Sequence, residues 1–518
     1  MGTIDLIICG FYLIMTIVIG GLVGKKQHST EEYFLAGRGM SWWPIAISLF
    51  ASLFSAISYI AMPGEAYNFG CTMLVSGLVG VVALPVTLLV FLRFFYMLKL
   101  WTINEYVERR FSVSLRVVNS LIFMLGRLVY LGVVLYATAL LLENALGWNP
   151  VIAVLAVGIF STIYTYMGGM EAVVWTDVVQ FFVLLGGVLL VIGVISWYTP
   201  GGVLGIWETA VEHGRTFQLG ADSDFWDFSF KPRISLLALL LGLPFAVLTA
   251  TDQVNLQRCL ACKNFNEVAR AVCWSTIGNL PVCFLFYFAG LAVFVFFKVL
   301  RPELDTGMKG DEAFCRYISV YLPTGIRGLL AAGVLAAVMS TVDSVQNSLS
   351  TVFVKDIYQR LLVPGRDETH YLSVAKLVTL LVGAGTCLFG VSVLLLFRNR
   401  EIPLLEVSNL CLGVLGSFSS AIFMMGLLTS RVDSRAMIFG LIVALPGAVY
   451  FAVFRYLIAV PEERIGFMFL SLINIFTAMG ASYLFSLFSS RTSAGQRSYV
   501  IWHFLRRGTA PGERNPEV

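Results

Sequence analysis

The sequence contains few charged residues, and this scarcity excludes most classes of soluble protein. Asp, Glu, Lys and Arg account for 13% of its 518 residues, hydrophobic residues account for 58%, and the mean hydropathy is +0.83. Soluble domains carry about 25% charged residues. The apolar excess also excludes a disordered chain, a disulfide scaffold and a nucleic-acid-binding protein. The net charge of +4 is small and indicates no acidic partner.

Several chemical signatures are also missing. The four histidines fall in expected loops or in the tail, at positions 28, 213, 370 and 503, which disfavours a membrane-buried hydrolase. Cys259 and Cys262 form a C-x-x-C, but no second pair or nearby histidine completes a zinc site. We interpret them as incidental thiols in a polar loop. No nucleotide-binding loop is present, so the expected source of energy is an ion gradient.

Long apolar segments are what the sequence has in abundance. A transmembrane helix needs about 20 mainly apolar residues, and thirteen candidate spans are found, which we number from 0 to 12. They cover residues 4–24, 42–62, 72–95, 116–146, 150–169, 174–198, 232–251, 267–297, 326–358, 372–397, 402–429, 434–458 and 464–488. The sequence therefore predicts an all-α polytopic membrane protein without a soluble domain. Residues 4–24 are expected to be a retained helix, not a cleaved signal peptide.

The distribution of Lys and Arg predicts the orientation of these spans. With the N-terminus outside, the cytoplasmic loops and the C-terminal tail hold about 22 of the 35 Lys and Arg residues. This group includes Arg258 and Lys263, which follow span 6. We therefore expect a multi-pass protein of the plasma or inner membrane with its N-terminus outside and its C-terminus in the cytoplasm.

Spans 1 and 6 carry signs of interruption. The centre of span 1, residues 51–56, reads ASLFSA and is followed by Pro63 and Gly64, while span 6 contains Gly242 and Pro244. Interrupted spans at corresponding positions of two halves indicate an inverted-repeat transporter with its site at the bilayer midplane. There, open backbone can line a cavity and its carbonyls can coordinate an ion. The alternative is that these residues only kink a packed helix.

Two carboxylates lie inside predicted spans. Asp177 is near the start of span 5 and Asp343 is within span 8. Carboxylates in the hydrocarbon region are costly and are functional by default. Asp343 is accompanied by polar residues at helical spacing, namely Ser340, Thr341, Ser344, Asn347 and Ser348. Such a stripe of oxygen atoms suits a hard cation such as Na⁺, although a packing face of small residues is the alternative.

Arg127 is a cation inside span 3, with Tyr130 one turn away. A buried guanidinium can bind a substrate carboxylate through two hydrogen bonds. It can equally pair with an aspartate, of which Asp343 is the candidate, or extend its head group to the membrane interface. The sequence alone leaves these three interpretations open.

The chain resembles the sodium/solute symporter family, whose members carry glucose, proline, pantothenate, monocarboxylates, multivitamins, iodide and sialic acid. The resemblance rests on KKQHSTEEYFLAGRGMSWW, FASLFSAISYIAMPGEAYNFG, INEYVERRF, IYTYMGGMEAVVWTDVVQ, DQVNLQRCLACKN and AAVMSTVDSVQNSLSTVFVKDIY, in that order. It implies a LeuT-type five-plus-five inverted repeat with broken helices 1 and 6. The first repeat would be residues 42–198 and the second residues 232–429, preceded by helix 4–24 and followed by two helices in 434–488 and the tail 489–518.

The resemblance also implies two cation sites. The core sodium site would use the carbonyls of Ala51, Phe54 and Ala337 and the hydroxyls of Ser340 and Thr341. A second cation site would use Asp177, Ser340, Asp343 and Ser344. Family members with that site often have serine where this chain has Asp343, and the extra carboxylate would tighten a second cation or bind a proton.

The solute is less narrowly implied. Sialic-acid carriers have an arginine where this chain has Tyr130 and a glutamine where it has Gly77, which argues against sialic acid. The polar helix 1 residues of sugar carriers align with Ile57 and Ser58, a poor match. The span 3 string YLGVVLYATALLL looks most like the monocarboxylate and multivitamin branch, so an organic anion is favoured. Expected lining residues are Leu53, Ser55, Ser58, Tyr67, Arg127, Tyr130 and Thr249.

These observations predict a sodium-coupled secondary symporter that imports a small organic solute by alternating access, and not an enzyme. A sodium/sugar symporter and a non-transporting membrane sensor module are the alternatives. Na⁺ is the expected coupling ion. The expected partners are the solute and the lipid bilayer, with no nucleic acid and no obligate protein partner evident.

Overall fold

The structure is a computed structural model that describes residues 2–24, 27–54, 56–229, 234–246, 250–305, 307–397, 404–452, 454, 467–489 and 492–507. Within these residues it is built from helices, and one isolated backbone bridge joins Met40 and Cys262.

The helices are numbered in chain order. The first half contains α1 (Thr3–Gly24), α2 (Thr30–Leu35), α3 (Trp42–Ala51), α4 (Ala56–Phe69), α5 (Ser76–Val86), α6 (Arg93–Met97), α7 (Ile103–Arg110), α8 (Val113–Leu146), α9 (Pro150–Tyr198) and α10 (Gly202–Glu212). The second half contains α11 (Leu236–Ala246), α12 (Gln253–Leu260), α13 (Phe265–Val295), α14 (Gly310–Arg316), α15 (Ile326–Val352), α16 (Glu368–Phe397), α17 (Leu404–Leu428), α18 (Ser434–Ala452), α19 (Phe467–Ser486), α20 (Ala494–Arg497) and α21 (Ile501–Arg507).

These helices account for all thirteen predicted spans. Nine of the described helical segments are long and apolar enough to cross a membrane. One of them, α9, has 49 residues and would be about 74 Å long if straight, more than twice the hydrocarbon thickness of a bilayer. It therefore supplies spans 4 and 5. Span 1 is formed by α3 and α4, span 6 by α11 and α12, and span 10 by α17.

The join between spans 4 and 5 differs from the prediction, which left residues 170–173 between the two spans. The two helices instead meet directly at Gly169, whose φ of 55° and ψ of −144° are not helical. A β-carbon at this position would lie 2.2 Å from the carbonyl oxygen of Tyr33. Glycine is required here because the conformation and the close approach both exclude a side chain.

Spans 1 and 6 are interrupted, as predicted, but not by their proline and glycine residues. Span 1 breaks after Ala51, whereas Pro63 lies within α4. In span 6, Gly242 and Pro244 lie inside α11, and the described chain leaves the helical conformation at Asp252, directly before α12 begins at Gln253. Asp252 caps α12, because its Oδ1 accepts the N–H groups of Val254 and Asn255 at 2.9 and 3.2 Å.

The core of the molecule is α15. Every residue from Leu330 to Val352 is buried, so this helix meets protein on all sides instead of lipid. The leading helix α1 packs on it and also caps it, because the Asp5 carboxylate accepts the N–H groups of Gly325 and Gly328 at 2.7 and 2.9 Å. Asp5 therefore stabilises the start of α15 from a different part of the chain.

An ion-pair network joins the other end of α15 to α7 and α8. Asp356, in the helical extension of α15 (Phe353–Leu362), is fully buried and accepts hydrogen bonds from Arg116, Thr102 and Asn104 at 2.6, 2.6 and 2.8 Å. Arg116 also contacts Glu108 at 2.6 Å. Burial acts to raise the pKa of Glu108, but hydrogen bonds from Arg360 and Arg116 outweigh it and lower the pKa below its ordinary value.

The predicted tail folds back on this same end of the bundle. Tyr106 in α7 donates to the carbonyl of Tyr499 at 3.1 Å, and the indole of Trp502 donates to the carbonyl of Leu428 at 2.9 Å. The rings of Phe94 and Phe504 lie 5.4 Å apart. Residues 492–507 are thus part of the folded bundle.

Candidate cation and solute site

All five predicted core-site residues are joined by hydrogen bonds where α3 ends beside α15, four of them through the oxygens expected to bind the ion. The Ser340 hydroxyl donates to the carbonyls of Ala51 and Ala337 at 3.0 and 3.2 Å. The Thr341 hydroxyl donates to the Ala337 carbonyl at 3.2 Å. The fifth residue, Phe54, enters through its backbone N–H, which donates to the Ala51 carbonyl at 3.1 Å. Two carbonyls and two hydroxyls therefore converge at the break in span 1.

This group of atoms fits a sodium ion by its chemistry. All the converging groups are neutral oxygens, the ligands that hard cations prefer. Ser340 and Thr341 are 1% and 2% exposed, so competing solvent is excluded. A hydroxyl that donates its proton to a carbonyl keeps lone pairs for a cation. The break matters because it lets the Ala51 carbonyl contact Ser340 of another helix in addition to the N–H of Phe54.

A second buried network surrounds Asp177. Its Oδ2 accepts hydrogen bonds from the Ser48 hydroxyl at 2.5 Å and from the guanidinium of Arg258 at 3.1 Å. Arg258 also donates to Ser48 at 2.7 Å and to Ser344. Asp177 and Arg258 are both fully buried. The network connects α3, α9, α12 and α15, the helices that surround the core site.

The position of Arg258 corrects the sequence interpretation, which counted it among the cytoplasmic loop residues. It lies in α12 with 0% exposure. The adjoining thiols are also buried: Cys259 lies in α12, and Cys262 lies in the turn that follows this helix, so neither is in a solvated loop. The predicted span 6 stops near residue 251 because the residues of α12, which follow it, are mostly polar. The available signal was the Asp252 cap, which marks the start of a further helix.

Asp343 belongs to the same network. Its two carboxylate oxygens accept hydrogen bonds from the hydroxyls of Tyr164 at 2.5 Å and Ser344 at 3.0 Å. Ser344 therefore lies between Asp343 and Arg258. In their ionised forms Asp177 and Asp343 carry two negative charges opposite the one positive charge of Arg258. Such an excess in a buried site attracts a cation.

The protein's own Arg258 therefore already contacts part of the predicted second cation site. Arg258 contacts two of its four expected ligands, Asp177 and Ser344. The other oxygen of Asp177, Oδ1, is buried and has no hydrogen-bond partner among the described residues. A buried carboxylate oxygen of this kind fits an additional cation. The residues thus suit a cation that shares the site with Arg258.

The rest of the polar stripe on α15 contacts other parts of the protein. Ser348 donates to Gln257 of α12 at 3.1 Å, and Gln257 in turn donates to Thr351 at 2.8 Å. The amide group of Asn347 is buried without a hydrogen-bond partner within the described ranges. The stripe is therefore divided between the two candidate cation sites, which contain Ser340 and Ser344, and helix packing at Ser348 and Thr351.

Arg127 pairs with Asp252, so the suggested pairing with Asp343 is wrong. Its guanidinium contacts Oδ2 of Asp252, the residue that caps α12 with its other oxygen. The guanidinium also lies 6.0 Å from the ring centroid of Tyr130. The ion pair therefore connects α8 with the start of α12.

Two cavities adjoin α12. One, of about 330 Å³, is lined by Arg127, Asp252 and residues of α8 and α17, and the other, of about 210 Å³, by Leu53, Gly77 and residues of α5 and α13. Asn255 lines both. Ser58, Tyr67 and Tyr130, which were expected to line the solute site, do not line either cavity in the described part of the chain. Ser55 and Thr249 lie outside the described residues.

Comparison with known proteins explains this arrangement. The model of the sodium:solute symporter family matches residues 33–444. The chain belongs to this family. The matched region includes every residue of the two candidate cation sites. The broken span 1 and the polar helix α15 therefore lie within the region that the family model covers.

Individual relatives carry different solutes. The sodium/sialic acid symporter SiaT of Proteus mirabilis is 29% identical over 440 residues, which cover 84% of this chain and 86% of the relative. A putative sodium-dependent multivitamin transporter of Drosophila melanogaster is 30% identical over 464 residues, 86% of this chain and 74% of the relative. Sodium is common to both names, and the solute is not.

A solved structure shares the complete fold. It is the substrate-bound, outward-open state of a Na⁺-coupled sialic acid symporter, with a TM-score of 0.84 and 26% sequence identity. The match covers 95% of this chain and 99% of that one. This symporter therefore has the LeuT-like fold, with Na⁺ as its coupling ion, and is a multi-pass membrane transporter of small solutes.

Proposed function

We propose that this symporter imports a small organic anion together with Na⁺ by alternating access. The observation that carries the proposal is the hydrogen bond from Ser340 in α15 to the Ala51 carbonyl at the break in span 1. It places neutral oxygens of two different helices at one point. A cation bound there holds the helices together, so its arrival and departure can be coupled to opening and closing.

The core sodium site of the proposal consists of Ala51, Phe54, Ala337, Ser340 and Thr341. Asp177, Ser340, Asp343 and Ser344 form the second cation site, which the cation shares with Arg258. Each Na⁺ that enters with the membrane potential gains about 2.3 kcal/mol per 100 mV. That free energy drives accumulation of the solute, so the protein acts as a transporter and not as an enzyme.

The anionic character of the solute rests on Arg127. It is the guanidinium at the wall of the 330 Å³ cavity, and its present partner there is Asp252. A solute carboxylate can replace the Asp252 oxygen in this pair. The other cavity has Gly77 in its wall, where a β-carbon would lie 2.7 Å from Leu280. With a volume of about 210 Å³, this cavity favours compact solutes over large polyhydroxylated ones.

The proposal includes an arrangement in the membrane. Residues 42–198 and 232–429 form the two inverted repeats, with α1 before them and α18 and α19 after them. The N-terminus lies outside and the C-terminus in the cytoplasm of a plasma or inner membrane, as the distribution of Lys and Arg indicates. The symporter works without an obligate protein partner.

A ligand screen on the purified protein tests the proposal. Thermal stability is measured in NaCl and in KCl with monocarboxylates, vitamins, sialic acid, amino acids and sugars. A carboxylate-bearing solute should raise the melting temperature only in NaCl, because a ligand stabilises the state that binds it. Stabilisation by neutral sugars alone would overturn the anion assignment, and equal stabilisation in KCl would overturn sodium coupling.

A further inference from the structure

A third cavity, of about 960 Å³, lies away from the cation sites at the end of the bundle that carries α7 and α21. Its wall is formed by the turn after α2, by α6 and the residues that follow it, and by the loop between α12 and α13. None of the described residues of the two cation sites lines it.

The wall of this cavity is strongly cationic. Arg38, Arg93, Lys99 and Lys263 line it together with one carboxylate, Glu31, which gives a net charge of +3. Arg38 pairs with Glu31 at 2.9 Å. The side chains of Arg93, Lys99 and Lys263 are exposed and have no ion-pair partner among the described residues. Three cations thus face one space, and the one carboxylate in its wall, Glu31, is paired with Arg38.

The backbone beneath two of these cations is strained. Arg38 has a φ of 51° and Lys99 a φ of 50°, and Ala36 is the third non-glycine residue with positive φ in the described part of the chain. This left-handed conformation is unfavourable for residues with a β-carbon. Strain of this kind persists only where the surroundings fix it, and it is concentrated at functional sites.

Hydrogen bonds fix the cavity wall. The N–H of Met40 donates to the Ala261 carbonyl at 3.0 Å, and the N–H of Lys263 donates to the Met40 carbonyl at 3.1 Å. The hydroxyl of Tyr96 donates to the Cys262 carbonyl at 3.3 Å. The backbone that carries the cations is therefore braced across three chain segments before any ligand arrives, which favours binding.

We propose that this cavity binds the phosphate head group of an anionic membrane lipid. Arginine and lysine bind phosphate through charge-assisted hydrogen bonds, and basic pockets at the ends of spanning helices are typical sites for such head groups. The wall also contains Met97, Trp101 and Phe265. These apolar and aromatic groups can contact the part of a lipid where the head group joins the acyl chains. A free phosphate ion has no such part.

Binding at this cavity would act on the transport machinery. Arg38 precedes α3, which ends at the core-site carbonyl of Ala51, and Lys263 follows α12, which carries Arg258. A head group that contacts both residues would hold α3 and α12 at fixed positions relative to each other. Anionic lipid should therefore stabilise the protein and change its rate of transport.

The test measures thermal stability in detergent during titration with dioctanoyl phosphatidylglycerol, dioctanoyl phosphatidylcholine, glycerol phosphate or inorganic phosphate. The wild type should be stabilised saturably by phosphatidylglycerol only. The triple variant Arg93→Gln, Lys99→Gln and Lys263→Gln should need at least about tenfold more phosphatidylglycerol for half-maximal stabilisation. Should that variant fail to fold, the single variant Lys263→Gln takes its place, with a smaller shift expected.

The matched control removes three exposed arginines from the same end of the bundle, through Arg431→Gln, Arg435→Gln and Arg506→Gln. It changes the net charge equally but leaves the cavity intact, so its response to phosphatidylglycerol should equal that of the wild type. Equal losses in both triple variants would overturn the proposal in favour of general surface attraction. Stabilisation by inorganic phosphate or glycerol phosphate at similar concentrations would overturn the lipid as ligand.

Discussion

The two candidate cation sites lie next to each other on α15 but use opposite chemistry. The core site around Ser340 and Thr341 contains only neutral oxygens, whereas the network around Asp177 and Asp343 contains two carboxylates and the guanidinium of Arg258. The neutral site can fold without a bound ion, and we expect it to need Na⁺ only for transport. The charged network needs the guanidinium of Arg258 in order to fold, because an unpaired buried carboxylate is costly.

The largest expected effect is on the charged network. Arg258→Gln should destabilise the folded protein by about 3–5 kcal/mol, because it leaves the buried Asp177 carboxylate without its partner. The double variant Asp177→Asn, Arg258→Gln should recover much of the lost stability. Thermal unfolding in KCl measures both, with the exposed ion-pair variant Arg270→Gln as a control that should change little.

The single variant Asp177→Asn sharpens this result. If Asp177 also binds a second Na⁺, the variant should show a lower Hill coefficient for Na⁺ in uptake measurements. An unchanged Hill coefficient in a folded variant would assign Asp177 a purely structural role beside Arg258.

The next largest effect concerns the neutral site. Ser340→Ala and Thr341→Ala should each raise the Na⁺ concentration for half-maximal uptake about tenfold or more, since a contact with a charged group contributes about 1.5–3 kcal/mol. Stability in KCl should fall by only about 1 kcal/mol, the usual contribution of one neutral hydrogen bond. Thr386→Ala is the matched control, because this buried hydroxyl of α16 donates to the Val382 carbonyl of its own helix and has no other hydrogen-bond partner in the described part of the chain. Sodium dependence that stays normal in both site variants would contradict the core assignment.

A smaller effect is expected at Arg127, which belongs to neither cation site. Arg127→Lys keeps the charge but loses the planar donor geometry, so uptake of an anionic solute should weaken about tenfold while the Na⁺ affinity stays normal. Radiotracer uptake at several solute concentrations, together with Na⁺-dependent thermal shifts, measures the two quantities. Normal solute uptake in this variant would remove Arg127 from the solute site.

The smallest effect is expected at Asp5. A variant at this position tests whether the start of α15 contributes to the stability of the protein without contributing to its affinity for sodium. Asp5→Ala removes the carboxylate that caps the helix from α1, and should cost about 1 kcal/mol. The loss should be the same in NaCl and in KCl, because Asp5 contacts neither cation site. A loss that appears only in NaCl would show that the start of α15 takes part in sodium binding.

The sequence predicted those features that depend on local composition. The break in span 1 follows from its small and hydroxyl residues, and the polar face of α15 follows from helical spacing. The burial of Arg258 could not be predicted in this way, because the polar residues of α12 become buried only when α3, α9 and α15 surround them. The pairing of Arg127 with Asp252 instead of Asp343 also depends on which helices become neighbours, and sequence position does not fix that.

Asp252 divides two tasks between its two oxygen atoms. Oδ1 holds the first N–H groups of α12, and Oδ2 holds Arg127. An arriving anion can therefore exchange with Oδ2 alone, as one counter-ion displaces another, while the helix keeps its cap. The arginine is never left without a negative partner during such an exchange. Under the proposed function, Asp252 therefore competes with the solute for Arg127, and a solute carboxylate would have to bind Arg127 more tightly than Asp252 does.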